Sequence, residues 1–146
     1  MIEHRLRVRY HECDPQGVVF NAHYLAFADI AFTEFARVLF GGWQQVVNRG
    51  FDVVLAEATV RYLGPARFDE ELTIAVGVTH IGTTSLILGF DMRLDSTPVN
   101  HVTNRYVWVD ARTLRPTAPP DDLRDAFAAH MIEHQVVGRP GLEPGT

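Results

Sequence analysis

The stretch from about Ala22 to Phe40 constrains the fold most, because it has the period of a helix and almost no polar face. Its polar residues fall in one narrow stripe, formed by Asp29, Thr33, Glu34 and Arg37. A surface helix normally shows a wider polar face. We therefore predict a long helix that is covered on most of its sides, with Asn21 as its N-cap and Gly41-Gly42 at its end.

Alternating apolar and polar residues predict five strands around this helix. They cover residues 5–11, 54–62, 72–78, 86–94 and 99–109. In the second of them, the pattern predicts one shared face for Val54, Ala56, Ala58, Val60 and Tyr62. The later connections are too short for crossover helices, so the sheet should be antiparallel. The fold class predicted is α+β, with a five-stranded antiparallel sheet wrapped around a long central helix.

A chain of 146 residues that is 47% hydrophobic can bury one sizeable core but not two. Pro119 and Pro120 introduce a last helical stretch, predicted from about Asp121 to Gln135. The residues beyond it are rich in glycine and proline. We therefore expect a single domain over residues 1–135 and a flexible tail over residues 136–146.

Composition excludes several functions. All 13 basic residues are arginine, so the chain has no Schiff-base lysine and no Walker-type phosphate loop. Cys13 is the single cysteine, which excludes an internal disulfide and favours a reducing compartment. The net charge of -5 argues against nucleic acid and anionic lipid as partners. Without a signal peptide or a membrane-length apolar run, we expect a cytoplasmic protein with no membrane partner.

The densest group of chemically unusual residues lies between the first strand and the long helix, in residues 11–24. The N–H groups and partial positive charge of a helix start suit an oxygen that becomes negative during a reaction. From a nearby turn, Asp14 can attack a carbonyl held by those donors, or activate the water that attacks it. The pattern indicates an acyl-transfer site, although Asp-Pro is also a common structural turn.

A resemblance to a known family favours the catalytic interpretation. The residues that carry it are Tyr10, Cys13, Asp14, Pro15, Gly17, Val18, Val19, Phe20, Tyr24, Asp29, Thr33 and Glu34. This pattern resembles the 4-hydroxybenzoyl-CoA thioesterase branch of the hot-dog fold superfamily, which includes the YbgC-like acyl-CoA thioesterases. The predicted element order agrees with that fold from about residue 5 to residue 109.

The resemblance implies an acyl-CoA thioesterase in which Asp14 is the catalytic carboxylate, as nucleophile or general base. The backbone N–H of Asn21 would polarise the thioester carbonyl. Further substrate contacts are implied for Gly17, Val18, His23, Tyr24, Gly82, Thr83, Thr84 and Ser85, the last four in a turn near bound CoA. No metal and no organic cofactor is expected, because CoA is part of the substrate. Many members carry His where this chain has Asn21, and Asn where it has His23.

The resemblance also implies a homodimer whose sheets join edge to edge and share two active sites, and members also assemble into homotetramers. Arginines would contact the CoA phosphates through charge-assisted hydrogen bonds. The sequence does not distinguish among Arg61, Arg67, Arg93 and Arg105 for this role. It also leaves the acyl group open, because phenylalanines at helical spacing, such as Phe27, are more often core than pocket.

Four alternatives remain open at this point. Cys13 is a candidate thiol nucleophile, and residues 130–134 fit the H-x-x-E-H zinc pattern, although a solvated helix face explains that pattern as well. A hot-dog dehydratase would need a histidine together with a carboxylate, and His23 is the candidate. A non-catalytic protein that binds acyl-CoA or an acyl carrier would show no CoA release. The absence of G-x-S-x-G excludes the usual serine hydrolase.

Overall fold

The computed structural model describes residues 1–132 and forms one antiparallel sheet with one long helix against it. The elements are β1 (Ile2–Arg7), α1 (His23–Phe40), α2 (Trp43–Asn48), β2 (Phe51–Tyr62), β3 (Glu71–Ile81), β4 (Ser85–Leu94), β5 (Thr97–Asp110) and α3 (Asp121–Ala128). The strand order is β1-β3-β4-β5-β2, and every neighbouring pair is antiparallel. The predicted fold class is confirmed, whereas the predicted tail lies outside the described residues.

The core lies between α1 and the inner face of the sheet. The two central strands supply the buried residues Leu72, Ile74, Val76, Val78, Leu86, Leu88, Phe90 and Met92. The helix supplies Tyr24, Phe27, Ala28, Ala31, Phe35 and Ala36. Burying one large apolar side chain contributes about 1.5–3 kcal/mol. This packing holds the start of α1 against one end of the sheet.

The sheet covers one face of α1 only. The expectation that this helix is covered on most of its sides is wrong for the described chain. Leu25 is 36% exposed and Val38 is 62% exposed, both on the surface that the sheet leaves uncovered. The narrow polar stripe therefore does not by itself mean that a single chain encloses the helix.

Strand β2 forms a long free edge of the sheet and contains a bulge. Leu55 pairs with Tyr106 and Glu57 pairs with Arg105, so Ala56 is an extra residue without a partner. The predicted shared face is therefore wrong at Val54, which pairs with Val107 on the outer face of the sheet. All residues from 54 to 59 are exposed.

The ends of two other elements also differ from the prediction. Strand β1 spans Ile2–Arg7 instead of residues 5–11, because residues 10–12 turn and the Arg9 N–H donates to Glu12 Oε1 at 2.7 Å. Helix α3 ends at Ala128, and residues 130–132 instead pair with Val78 of β3 in parallel. The last predicted helical residues lie outside the described part. Among residues 1–132, no helix combines the length and apolar character that a membrane span requires.

Candidate active site

Residues 13–19 form a small hairpin that carries Asp14. Cys13 pairs with Val19, and the Asp14 N–H donates to the Val18 carbonyl at 2.9 Å. The Gly17 N–H donates to the Asp14 carbonyl at 2.9 Å, and Gly17 has a φ of 80°. Asp, Pro and Gly are favoured at the first, second and fourth positions of such a turn, and glycine alone adopts positive φ without strain. The local sequence therefore determines this backbone.

The hairpin also fixes the carboxylate of Asp14. Its Oδ1 accepts a hydrogen bond from the Gln16 N–H at 2.8 Å. Its Oδ2 has no hydrogen-bond partner within residues 1–132, and the residue is half-buried. One carboxylate oxygen therefore holds the side chain in position while the other keeps its lone pairs for a reaction.

Helix α1 begins beside this hairpin without a side-chain cap. The N-cap is Ala22, and the prediction that Asn21 caps the helix is wrong. The His23 N–H donates instead to the Phe20 carbonyl at 2.9 Å, so a tight backbone turn leads into the helix. Because no side chain covers the helix start, its N–H groups remain accessible to another acceptor.

Two N–H groups at the helix start have defined directions. In a trans peptide the N–H points opposite to the preceding carbonyl, and residues 1–132 contain no cis peptide. The Phe20 carbonyl is bonded to His23, and the Asn21 carbonyl accepts a hydrogen bond from the Tyr62 hydroxyl at 3.2 Å. The N–H groups of Asn21 and Ala22 therefore point away from these contacts. Neither donates to any group in the described chain.

The other residues predicted at this end differ in exposure. Gly17 is exposed, Val18 is half-buried and pairs with Arg67, and His23 is half-buried with its ring 6.2 Å from that of Phe20. Tyr24 is only 3% exposed, and burial raises the pKa of its phenol to about 12. Its ring packs edge-on against Tyr62 at 5.9 Å. Tyr24 therefore has a packing role at this end of the sheet.

The predicted turn of residues 82–85 lies at the opposite end of the sheet. The Gly82 N–H donates to the Ser85 carbonyl at 2.8 Å, and a side chain at position 82 would collide with Ser85 Oγ. The Arg124 side chain donates to the Thr83 carbonyl at 3.0 Å. Beside this turn is a cavity of about 430 Å³, lined in part by Arg124 and His80. Sequence reasoning missed both lining residues.

The two groups of predicted site residues are far apart within the chain. The hairpin bonds to Ala66 and Arg67, just before β3 begins at Glu71, whereas the turn follows the end of β3 at Ile81. Ten residue steps of a strand span roughly 33 Å. The structure thus brings Asp14, Gly17, Val18, Asn21, His23 and Tyr24 together, and it separates all of them from the turn.

The four arginines left open by the sequence also separate. Arg61 and Arg105 pair across the outer face of the sheet with His101 and Glu57. On that face Arg93 donates from Nε to Asp91 Oδ2 at 2.7 Å. Only Arg67 lies beside the Asp14 hairpin. None of the four lines the cavity beside residues 82–85.

The alternative sites receive little support from the described residues. His130 lies after the end of α3, and Met131 pairs with β3, so the helical spacing of the H-x-x-E-H pattern is lost there. His134 lies outside residues 1–132. Within residues 1–132, no three His, Cys, Asp or Glu side chains are grouped closely enough to hold a metal ion. Cys13 is half-buried, with its Sγ 3.8 Å from the Arg9 carbonyl.

A five-stranded antiparallel sheet in the order β1-β3-β4-β5-β2 against one long helix is the hot-dog fold of thioesterases. A family model described as the thioesterase-like superfamily matches residues 8–127. The chain therefore belongs to this superfamily.

Similarity to individual proteins agrees with this assignment. The acyl-CoA thioester hydrolase YbgC of Escherichia coli is 33% identical over 125 residues, covering 84% of this chain and 92% of that protein. The acyl-CoA thioesterase YbgC of Haemophilus influenzae is 25% identical over 123 residues, covering 84% and 90%. A solved thioesterase-superfamily protein from Jannaschia sp. superposes with a TM-score of 0.84 at 21% identity, covering 90% and 93%. That last likeness concerns the fold alone.

Proposed function

We propose that this protein is an acyl-CoA thioesterase that hydrolyses an acyl-CoA to a free acid and CoA. The observation that carries the proposal is the pairing of two features at one end of the sheet. One carboxylate oxygen of Asp14 accepts a hydrogen bond, and the other has no partner within residues 1–132. At the neighbouring helix start, the Asn21 N–H donates to no group in the same residues. The similarity to YbgC of Escherichia coli supports the substrate class.

In the proposed reaction, the Asn21 N–H polarises the thioester carbonyl and stabilises the oxyanion that forms. Asp14 acts in one of two ways. As nucleophile, its free oxygen attacks the carbonyl carbon, and the C–S bond breaks with departure of CoA as the thiolate. Water then hydrolyses the mixed anhydride to the free acid and the Asp14 carboxylate, and the proton it gives up converts the thiolate to CoA thiol. As general base, it takes a proton from the water that attacks the carbonyl, and CoA leaves as the thiol. Both routes use only groups of this chain and water, without a metal or organic cofactor.

The proposal includes a homodimer joined through β2. This strand is a 12-residue free edge, and residues 54–59 are exposed on both faces. A long exposed edge is a template for pairing with another strand. Because β2 runs from the end with residues 82–85 to the end with Asp14, antiparallel pairing with its own copy would bring each Asp14 beside the partner's turn. Assembly into tetramers and residence in the cytoplasm remain predictions.

The dimer also suggests how CoA is held. In this arrangement the turn of residues 82–85 and Arg124 of one protomer would serve the Asp14 of the other. Arg124 is a stronger candidate for the CoA phosphates than Arg61, Arg93 or Arg105, because it lines the cavity at the turn. A guanidinium group suits phosphate oxygens, since several of its N–H groups can donate together.

The test is release of CoA thiol from a panel of short-chain, long-chain and aromatic acyl-CoAs. The wild-type protein should hydrolyse at least one class, and Asp14→Asn should lower kcat by on the order of 10²-fold or more with an unchanged melting temperature. Asp95→Asn is the matched control, because Asn tolerates the positive φ of 51° at that turn. Near-wild-type turnover in Asp14→Asn would reject the assignment, and no CoA release from any substrate would favour a binding protein.

A further inference from the structure

Tyr62 is the last residue of β2 and lies 41 positions along the chain from Asn21, yet its hydroxyl contacts the start of α1. The hydroxyl donates to the Asn21 carbonyl at 3.2 Å. The first hydrogen bond inside a helix is accepted by the carbonyl of the N-cap residue, which here is Ala22. The Asn21 carbonyl is therefore outside the helical ladder and available to Tyr62.

Tyr62 is 54% exposed, and its ring packs on one side against the wall formed by Tyr24. It meets the Tyr24 ring edge-on at 5.9 Å, and Tyr24 is 3% exposed. Across the strands, Tyr62 pairs with Asn100, which is fully buried and whose amide has no partner within residues 1–132. The Tyr62 hydroxyl nevertheless bonds to Asn21 instead of this neighbouring amide. Its direction is thus set toward the helix start.

Two carbonyl contacts together fix two successive peptide planes. The bond from His23 fixes the plane that carries the Asn21 N–H, and the bond from Tyr62 fixes the plane that carries the Ala22 N–H. Both N–H groups are left without an acceptor in the described chain. Donors fixed before the reaction stabilise a developing negative charge without the cost of reorientation.

We propose that Tyr62 is a positioning residue that orients the Ala22 N–H as a second donor to the thioester carbonyl, beside the Asn21 N–H. This inference rests on the proposed thioesterase function. Tyr62 itself touches no reacting atom and acts through the peptide between Asn21 and Ala22. Because Tyr62 ends the strand that is proposed to form the dimer interface, pairing of β2 also holds the donor in place.

The kinetic test is Tyr62→Phe, which removes the hydroxyl and keeps the ring against Tyr24. Removing a whole oxyanion donor costs on the order of 10²–10³-fold in kcat, and loosening one costs less. We expect kcat to fall by about 10-fold and KM to change by less than about two-fold. Tyr10→Phe is the control, because Tyr10 is 80% exposed and its hydroxyl has no partner within residues 1–132. Unchanged kcat in Tyr62→Phe would overturn the inference.

A spectroscopic measurement separates positioning from a general loss of structure. Asp14→Asn protein is mixed with benzoyl-CoA, or with the acyl-CoA that wild type hydrolyses fastest, and the infrared stretch of the bound thioester carbonyl is recorded. Binding should move this band to lower frequency than in free acyl-CoA. This movement should be smaller when Tyr62→Phe is added to Asp14→Asn, and it should not be smaller when Tyr10→Phe is added. An identical band in both double variants would overturn the inference. If the wild-type protein hydrolyses no acyl-CoA, both the proposed function and this inference are rejected. If the wild-type protein is active and Tyr62→Phe has the same kcat, only this inference is rejected.

Discussion

The two ends of the sheet carry different chemistry. The end with Asp14 has a fixed carboxylate and unengaged N–H groups, which suit the breaking of a thioester bond. The end with residues 82–85 has a glycine turn, Arg124 and a cavity, which suit the holding of phosphates. They lie roughly 33 Å apart within one protomer. The difference supports the proposal that one chain carries two half-sites, which pairing through β2 would join.

The largest effect should come from preventing this pairing. Ala58 is exposed on the inner side of β2 and pairs with Asn104 of β5. Ala58→Glu would set like charges against each other at a two-fold interface, which is destabilising. We expect a monomer whose turnover falls on the order of 10²-fold or more. Sedimentation velocity and CoA release, measured on the same preparation, check both results.

The control for that variant is Ser96→Glu, which adds the same charge at the exposed turn between β4 and β5. Ser96→Glu should leave the molecular mass in solution and the rate of CoA release unchanged. A monomeric Ala58→Glu protein with full activity would show that a single chain holds a complete site. An inactive protein that remains dimeric would show that β2 is not the interface.

The next largest effect on activity is expected at the end of the sheet that carries residues 82–85. Arg124→Ala should raise KM for acyl-CoA by about 10-fold and change kcat little, because a charge-assisted hydrogen bond contributes roughly 1.5–3 kcal/mol. The difference from wild type should shrink as salt is raised. Arg37→Ala is the control, since in the described part of the chain this arginine pairs only with Glu34, on the exposed side of α1. A fall in kcat at unchanged KM would contradict the phosphate role.

A smaller effect is expected at the Asp14 end, from His23→Gln. The proposed hydrolysis needs Asp14 and backbone donors, and His23 is half-buried beside Phe20. We expect kcat/KM to stay within about three-fold of the wild-type value. Steady-state CoA release measures this. A loss on the order of 10²-fold would instead make His23 part of the hydrolytic chemistry.

The smallest effect should come from the outer face of the sheet, between the two ends. The pKa of Asp91 is lowered by His101, whose Nδ1 lies 3.9 Å from Oδ1, and by Arg93, which donates at 2.7 Å. A separation of 3.9 Å is too long for a hydrogen bond, so the short contact with Arg93 is the better-defined of the two. The ionised carboxylate therefore stabilises the folded state.

Asp91→Asn should lower the free energy of unfolding by about 1 kcal/mol at neutral pH, without changing kcat. Because the folded pKa of Asp91 lies below its ordinary value of 3.8, this stabilisation is present above about pH 4 and is lost as pH falls through the folded pKa. Urea unfolding of both proteins at neutral and acidic pH measures the difference between their free energies of unfolding. A difference that becomes larger at acidic pH would contradict a stabilising role for the ionised carboxylate.

The sequence predicted the strands and the long helix because their apolar periods are strong. Every second residue is buried from Leu72 to Val78 in β3 and from Leu86 to Met92 in β4, as the pattern requires. The pattern failed at Ala56, where a bulge moves Val54 to the other face, because a single extra residue leaves the run of apolar side chains intact. It also failed at Asn21, because the backbone bond from His23 to Phe20 makes a side-chain cap unnecessary.

The site was predictable where it is local. The turn around Asp14 follows from neighbouring residues whose conformational preferences are known. Tyr62 and Arg124 could not be found in this way, because they reach Asn21 and Thr83 across 41 residues each. The resemblance to a family named both segments as parts of one site, and that role stays a prediction. The register of the strands adds that the two segments lie at opposite ends of the sheet.

The most direct test of a site shared between two protomers is complementation. Asp14→Asn protein and Arg124→Ala,Gly82→Ala protein are unfolded together, refolded at equal concentrations and assayed for CoA release. The assay uses acyl-CoA well below the wild-type KM, where a raised KM lowers the rate as directly as a lowered kcat does. In a mixed dimer, one site combines the intact Asp14 of one chain with the intact turn of the other. Random pairing should therefore restore about a quarter of wild-type activity. Activity no greater than the mean of the two separately refolded variants would contradict the shared site.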